Sequence, residues 1–226
     1  HSGVFLTTPG ELGAVLSGFA SDPSTAEVEV MDVDEEMFRE GVLAARLYAL
    51  ARVPSDDHRI QTGKAAYRSG TADDEAEEIG RYIADRMEDG VVYILGPGST
   101  TAAVARALGL SKTLLGVDAV LNRRVICPDA AESDLLRILS DHGRAEVVVT
   151  PIGAQGFFLG RGNQQISPRV LRALRKEDIT VIATPTKLAG TPVLRVDTGD
   201  PDLDRRLRGK MKVVTGYRRR RMVDVL

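Results

Sequence analysis

The chain has 226 residues, 43% hydrophobic and 27% charged, with a formal net charge of −2. That is long enough to bury a core unaided, and the near-neutral balance removes any global electrostatic case for nucleic acid or an anionic membrane. A single cysteine, Cys127, excludes an internal disulfide. Three scattered histidines (His1, His58, His142) give no zinc spacing, and no apolar run is long enough to span a bilayer or serve as a signal peptide.

The expectation is a cytoplasmic protein with neither nucleic-acid nor membrane partners, in which Cys127 is a small buried hydrophobe. The chain opens on HSGVFLTTPG without an initiator Met and enters a strand-like run at Val4–Leu6, which reads as a fragment or a processed product. Pro9 and Glu11 then open a helix with Leu12, Val15, Leu16 and Phe19 at helical spacing. EVEVM, Glu27–Met31, alternates as a half-buried strand. ARLYALARVP, ending at Pro54, reads as a second strand, with a hairpin around Glu40-Gly41. Ser55–Thr71 is polar and is the best linker. It sets the expected division into a β-rich segment, 1–62, and an α/β domain, 63–226.

Beyond the linker, Asp73–Glu88 is a helix with Ile79, Tyr82, Ile83 and Met87 on its apolar stripe. VVYIL then runs into GPGSTT, Gly96–Thr101, and a helix-forming stretch. LLGVDAV (Leu114–Val120) is read as a strand, Ser133–Asp141 as a helix and Glu146–Thr150 as a β-branched buried strand. A helix begins at Ser167-Pro168, with Ser as N-cap and Pro at the first helical position. Strands follow at 179–183, 193–196 and 212–215, and the arginine run 218–221 reads as a solvated face or tail. Strands separated by helices imply a parallel-sheet, Rossmann-like α/β domain with helices on both faces, preceded by the small β-rich segment.

Three places carry candidate chemistry. In GPGSTT, Gly96 and Gly98 permit a tight turn between strand and helix. The helix N-terminus offers free N–H groups to an anion, and Ser99, Thr100 and Thr101 add hydroxyls. There is no GK[ST], so this is not a Walker A loop, and the third glycine of the dinucleotide fingerprint is missing. The second place is TPIGAQGFFLGRGNQQISP, Thr150–Pro168, a long glycine loop after the strongest strand. Its candidates are Thr150, Gly153, Gln155, Gly156, Gly160, Arg161, Gly162 and Asn163: a guanidinium suited to phosphate or carboxylate, flexible glycines, and amides that both donate and accept. The third is a set of acids at strand ends, of which Asp118 is the candidate metal ligand. Asp197 stays open, and Asp200 reads as a turn residue. Thr184-Pro185-Thr186-Lys187 follows a strand at the ligand-bearing end of a parallel sheet, where Lys187 could reach a phosphate, although a solvated lysine is the commoner outcome.

GPGSTT with LLGVDAV, the loop TPIGAQGFFLGRGNQQISP, LRVDTGD and VVTGY together resemble the C-terminal part of the ATP-NAD kinase family, in the branch of acetoin-catabolism protein X-like proteins. GPGSTT taken alone is also similar to sugar-phosphate isomerase loops. The family resemblance implies transfer of a phosphoryl group from ATP to the 2′-hydroxyl of NAD, giving NADP, with Mg²⁺ as metal and small nucleotides as ligands in a homo-oligomer. The family's Gly-Gly-Asp-Gly motif belongs to an N-terminal domain and does not occur here. This chain is therefore expected to be the C-terminal portion of a kinase whose catalytic residue lies elsewhere. The alternative is a non-catalytic α/β sensor that binds a phosphorylated metabolite such as a sugar phosphate.

Overall fold

A computed structural model describes residues 9–33, 45–54, 70–113, 115–152 and 156–226. The chain divides into two compact units, residues 1–67 and 68–226. In the first, helix α1 (Pro9–Ser21) precedes strands β1 (Thr25–Val33) and β2 (Ala45–Pro54), which pair antiparallel with a register shift between Val30 and Met31. Val15 is buried, whereas Leu12 and Leu16 are exposed. The expected Val4–Leu6 strand and the Glu40-Gly41 turn lie outside the described residues.

The second unit is built on four parallel strands that neighbour one another in space: β3 (Val92–Leu95), β6 (Ala145–Val149), β8 (Ile179–Ile182) and β10 (Gly209–Gly216). Successive side chains of a strand point to opposite faces, so a strand buried on both faces must be apolar throughout. Tyr93, Leu95, Val148, Ile182 and Val214 form one core with Ile79 and Ile83 of α2 (Gly70–Arg86) and Val104 and Ala105 of α3 (Ser99–Ala107). Val92, Ile94, Val147, Val149, Val181 and Val213 form the other. Its helical partners are α4 (Glu132–His142), α5 (Pro168–Arg172), α6 (Pro185–Ala189) and α7 (Pro201–Leu207). The expected helices on both faces are present.

Two features depart from the sequence reading. The LLGVDAV strand is confined to β4 (Asp118–Leu121) and runs antiparallel to β3. It turns into an unforeseen partner, β5 (Arg124–Cys127). Asn122 and Arg123 both take positive φ, 49° and 59°, as a two-residue hairpin turn requires, but without the glycine that usually signals one. Cys127 lies on this edge strand half-buried rather than in the core, and burial raises its thiol pKa. The arginine run is the second departure. Arg219–Val225 form β11, which lies between β10 and β9 (Val193–Val196), and β7 (Phe157–Leu159) completes the sheet beyond β9. The arginines themselves are exposed, as read, while Val223 and Val225 enter the core.

The β10–β11 turn is fastened to α2. Tyr217 donates to Asp85 at 2.9 Å, Arg219 pairs with Glu78, and Arg220 donates to the Tyr82 hydroxyl at 2.9 Å. The Tyr82 and Tyr217 rings meet edge-on at 5.7 Å. No described helix is long and apolar enough to cross a membrane.

Helices α2 and α3 pack so closely that a Cβ on Gly80 would lie 2.4 Å from the Ala103 carbonyl oxygen. Gly80→Ala must part the two helices and is expected to cost about 1–3 kcal/mol. Urea unfolding of the variant would show a lower midpoint, and an unchanged midpoint would mean that this contact is not tight.

Candidate functional site

The four parallel strands end at one edge of the sheet, where successive loops gather. The backbone N–H of Gly96 still donates to Val148 O at 2.9 Å, so β3 is held to β6 one residue past its end. Gly98, with φ 120°, is the N-cap of α3, and no side chain caps that helix. A Cβ on Gly96 would come within 2.9 Å of Val149 Cγ1, and one on Gly98 within 2.8 Å of Thr150 Cγ2. Both positions therefore need glycine for close approach, and Gly98 needs it for its dihedral as well.

The three hydroxyls of the turn differ in their surroundings. Thr101 is fully buried, with Oγ1 2.6 Å from Gly96 O and 2.8 Å from Gly98 O, and its one proton closes the turn internally. Thr100 is also buried, whereas Ser99 faces solvent. The first-turn N–H groups of α3 lack helical acceptors, and the positive end of the helix dipole lies beside them.

Thr150, just past β6, is buried against this turn. Its Oγ1 lies 3.3 Å from Lys187 Nζ, which also donates to Pro151 O at 2.9 Å. Lys187 belongs to α6, whose N-cap Thr184 accepts from the Lys187 N–H at 3.1 Å. Glu75 of α2 accepts from the Thr186 N–H at 3.2 Å. The side chain is thus packed under the loop ends and is not the solvated lysine that loop position suggested. Among the described residues no carboxylate pairs with it, and burial lowers its pKa to about 8.

The long glycine loop divides in two. Gly153 and Gln155 lie outside the described residues. Gly156, Gly160 and Gly162 have positive φ, and a Cβ on Gly160 would fall 1.7 Å from Asp197 O, so the loop lies directly on the end of β9. Arg161 donates to Asp197 Oδ2 from Nε at 3.1 Å and from Nη2 at 2.9 Å, and its guanidinium stands 4.4 Å from the centroid of the Phe157 ring. Asp197, left open by the sequence, is thus the partner of Arg161. Asn163 is fully buried: its Oδ1 accepts from Gly160 N at 3.0 Å and its Nδ2 donates to Phe158 O at 2.9 Å. From the far end of this loop Ile166 also reaches the GPGSTT turn, with Cδ1 3.7 Å from the Cβ position of Gly96. Asp200 caps α7 and binds Arg172, as a turn residue would.

Asp118 pairs in register with Leu95 and so lies at the same edge as the turn. Only 1% of it is exposed. Its carboxylate accepts from Thr113 N at 2.9 Å, Thr113 Oγ1 at 2.5 Å and Asp129 N at 2.9 Å. Beside it, Lys112 donates to Thr113 O at 2.7 Å and Gly116 O at 2.9 Å, and burial lowers its pKa to about 8 against the opposing pull of Asp118 and Asp129. These bonds tie the segment before β4 to the one after β5. Among the described residues no three His, Cys, Asp or Glu side chains gather as a metal site, and Asp118, already committed to three donors, fits Mg²⁺ poorly.

A family model described as the ATP-NAD kinase C-terminal domain matches residues 88–225, a span that holds β3 to β11 and both glycine segments. The chain belongs to the ATP-NAD kinase family, as a C-terminal domain. No curated protein and no solved structure matches it. The sequence reading grouped Gly96, Gly98, Ser99, Thr100, Thr101 and Thr150 with Gly153, Gln155, Gly156, Gly160, Arg161, Gly162 and Asn163; the fold sets Thr150 against the Gly96–Thr101 turn, whereas Gly160, Arg161 and Asn163 bond to Asp197 and within their own loop. It named Thr184 to Lys187 as a stretch at the ligand-bearing edge but took a solvated lysine as the commoner outcome, and it passed over Glu75. The Thr184-Pro185 pair after a β-branched strand was the available signal, since it marks a helix start at a strand end.

Two expectations follow. Asn163→Ala leaves Gly160 N and Phe158 O without partners and should cost about 1–3 kcal/mol for each buried group, measured by denaturant unfolding. Lys112 and Lys187 both titrate lower in the folded chain than in the unfolded one. The unfolded chain therefore binds more protons between about pH 8 and 10, and stability should rise with pH through that window, by at most on the order of 3 kcal/mol per lysine. Thermal melts of the wild type and of Lys112→Met across that range check the sign: the wild type should gain more with pH than the variant, a comparison that cancels the opposing effect of the raised Cys127 thiol, and an equal or smaller gain would contradict it.

Proposed function

We propose that the intact protein is an NAD kinase-like phosphotransferase, moving a phosphoryl group from ATP to the 2′-hydroxyl of NAD, in the acetoin-catabolism protein X-like branch of the family. This α/β unit supplies its phosphate-binding crevice. The observation that carries the reading is the uncapped N-terminus of α3, opened by Gly96 and Gly98 at the ligand-bearing edge of the parallel strands in a chain of this family. In this assignment the N–H groups of Ser99, Thr100 and Thr101 take a phosphate, Ser99 Oγ adds a solvent-facing donor, and Thr101 and Thr150 hold the turn in shape.

Catalysis of phosphoryl transfer is mostly positioning and charge stabilisation, which this arrangement can supply without a nucleophile of its own. Mg²⁺, when bound, would neutralise phosphate charge. It would arrive with the nucleotide rather than on Asp118. We assign the protein to the cytoplasm and treat nucleotide as its ligand and a homo-oligomer as its working form.

A specific observation favours a second reading, a sensor for a phosphorylated metabolite. Arg161 is neutralised by Asp197 and Asn163 is used up inside its loop. The long loop therefore leaves few free groups for a dinucleotide, whereas the turn suits a single phosphate. Full-length protein saturated with NAD, ATP and Mg²⁺ decides between them: formation of NADP is the outcome expected of the kinase. No NADP, together with tight binding of a sugar phosphate and no turnover, would establish the sensor.

A further inference from the structure

We propose that Lys187 is the charged floor of a phosphate subsite completed by the Gly96–Thr101 turn and Thr150. The inference rests on the reading of the turn as an anion site and adds the residue that supplies its charge.

An ammonium has three N–H donors. Two are committed, to Thr150 Oγ1 and Pro151 O, and among the described residues the third has no partner. A half-buried cation with no carboxylate partner among the described residues leaves a donor that a ligand can complete. The direction in which it can be completed is set by Thr150. That hydroxyl receives the Lys187 proton, so its own hydrogen is free to be donated onward. Its methyl group packs where a Cβ of Gly98 would stand, at 2.8 Å. One threonine side chain therefore separates the ammonium from the uncapped end of α3. A tetrahedral oxyanion seated on the turn would gain helix N–H groups, the Thr150 hydroxyl and the lysine as donors.

From the end of β6 and the glycine turn Lys187 meets hydroxyls and carbonyls. From α2, Glu75 reaches α6 at the Thr186 N–H, and Gly153–Gln155, next in the chain after Ile152, carry no titratable side chain. Burial alone lowers the lysine to about 8. A dianion beside it favours the charged form.

The test is calorimetric titration of the 226-residue chain with inorganic phosphate. Lys187→Met keeps the aliphatic stem and removes the charge. The expected result is at least a tenfold weaker phosphate affinity in a variant that still unfolds in one cooperative transition, its melting temperature reporting separately the loss of the donor to Pro151 O. Phosphate binding within twofold of wild type in that variant overturns the proposal. So does the absence of any phosphate heat or melting shift in the wild-type chain at tens of millimolar.

The measurement needs no turnover. A protein that makes no NADP but binds phosphate through Lys187 fails only the kinase reading, and one that makes NADP with Lys187 replaced and phosphate binding intact fails only this inference.

Discussion

A parallel strand buried on both faces has nowhere to place polar chemistry except at its ends. β3 obeys that constraint residue by residue, with Val92 and Ile94 on one side and Tyr93 and Leu95 on the other, and β6, β8 and β10 reach it in their C-terminal halves, at Val147–Val149, Val181–Ile182 and Val213–Val214. Because the strands run the same way, their C-terminal ends deliver three loops to one edge: Gly96–Thr101, Thr150–Ile152 and Thr184–Lys187. The candidate site thus follows from the sheet and not from any single motif. Glycines at 96 and 98 let two of these loops touch, since a side chain at either position would push Val149 or Thr150 away.

Much of this was legible in the sequence because it is local. Strand and helix alternation followed from β-branched runs and helical stripes, and the helix start at Ser167-Pro168 followed from cap chemistry, borne out by Ser167 Oγ accepting from Val170 N at 3.3 Å. What escaped was non-local or lacked its usual marker. The β4–β5 hairpin turns on Asn122-Arg123, where glycine would have announced it. β11 was hidden by four arginines, because exposed charges on one stretch mask the alternation of Val223 and Val225 that follows. LLGVDAV reads as a strand on composition, but Gly116 is spent on a bond from Lys112 before β4 begins. The packing of Lys187 could not be read at all, since it depends on Thr150 and Pro151, just past β6 and 37 and 36 residues away.

The two glycine segments look alike in sequence and behave differently in the fold. In the GPGSTT turn the backbone donors of a helix start stay uncommitted. In the Gly156–Asn163 loop, positive-φ glycines let the chain lie flat on β9, and the polar side chains close the loop upon itself. Composition alone treats Arg161 and Asn163 as recognition groups. Their partners make them the internal fastening of the β7–β9 wing.

The place of β11 bears on how the chain matures. It follows every other described strand in the sequence, yet it stands between β10 and β9 and, among the described residues, supplies the strand pairing between the β7–β9 wing and the parallel strands. On a ribosome, which releases the chain from its N-terminal end, β3 through β8 can assemble early, while β9 and β7 have no strand to dock on until residues 219–225 have emerged. The fastening of Tyr217, Arg219 and Arg220 to α2 then registers that late strand against a helix made some 140 residues earlier. Nascent chains stalled before Val225 should therefore carry an unfinished sheet edge, the sort of surface on which chaperones act.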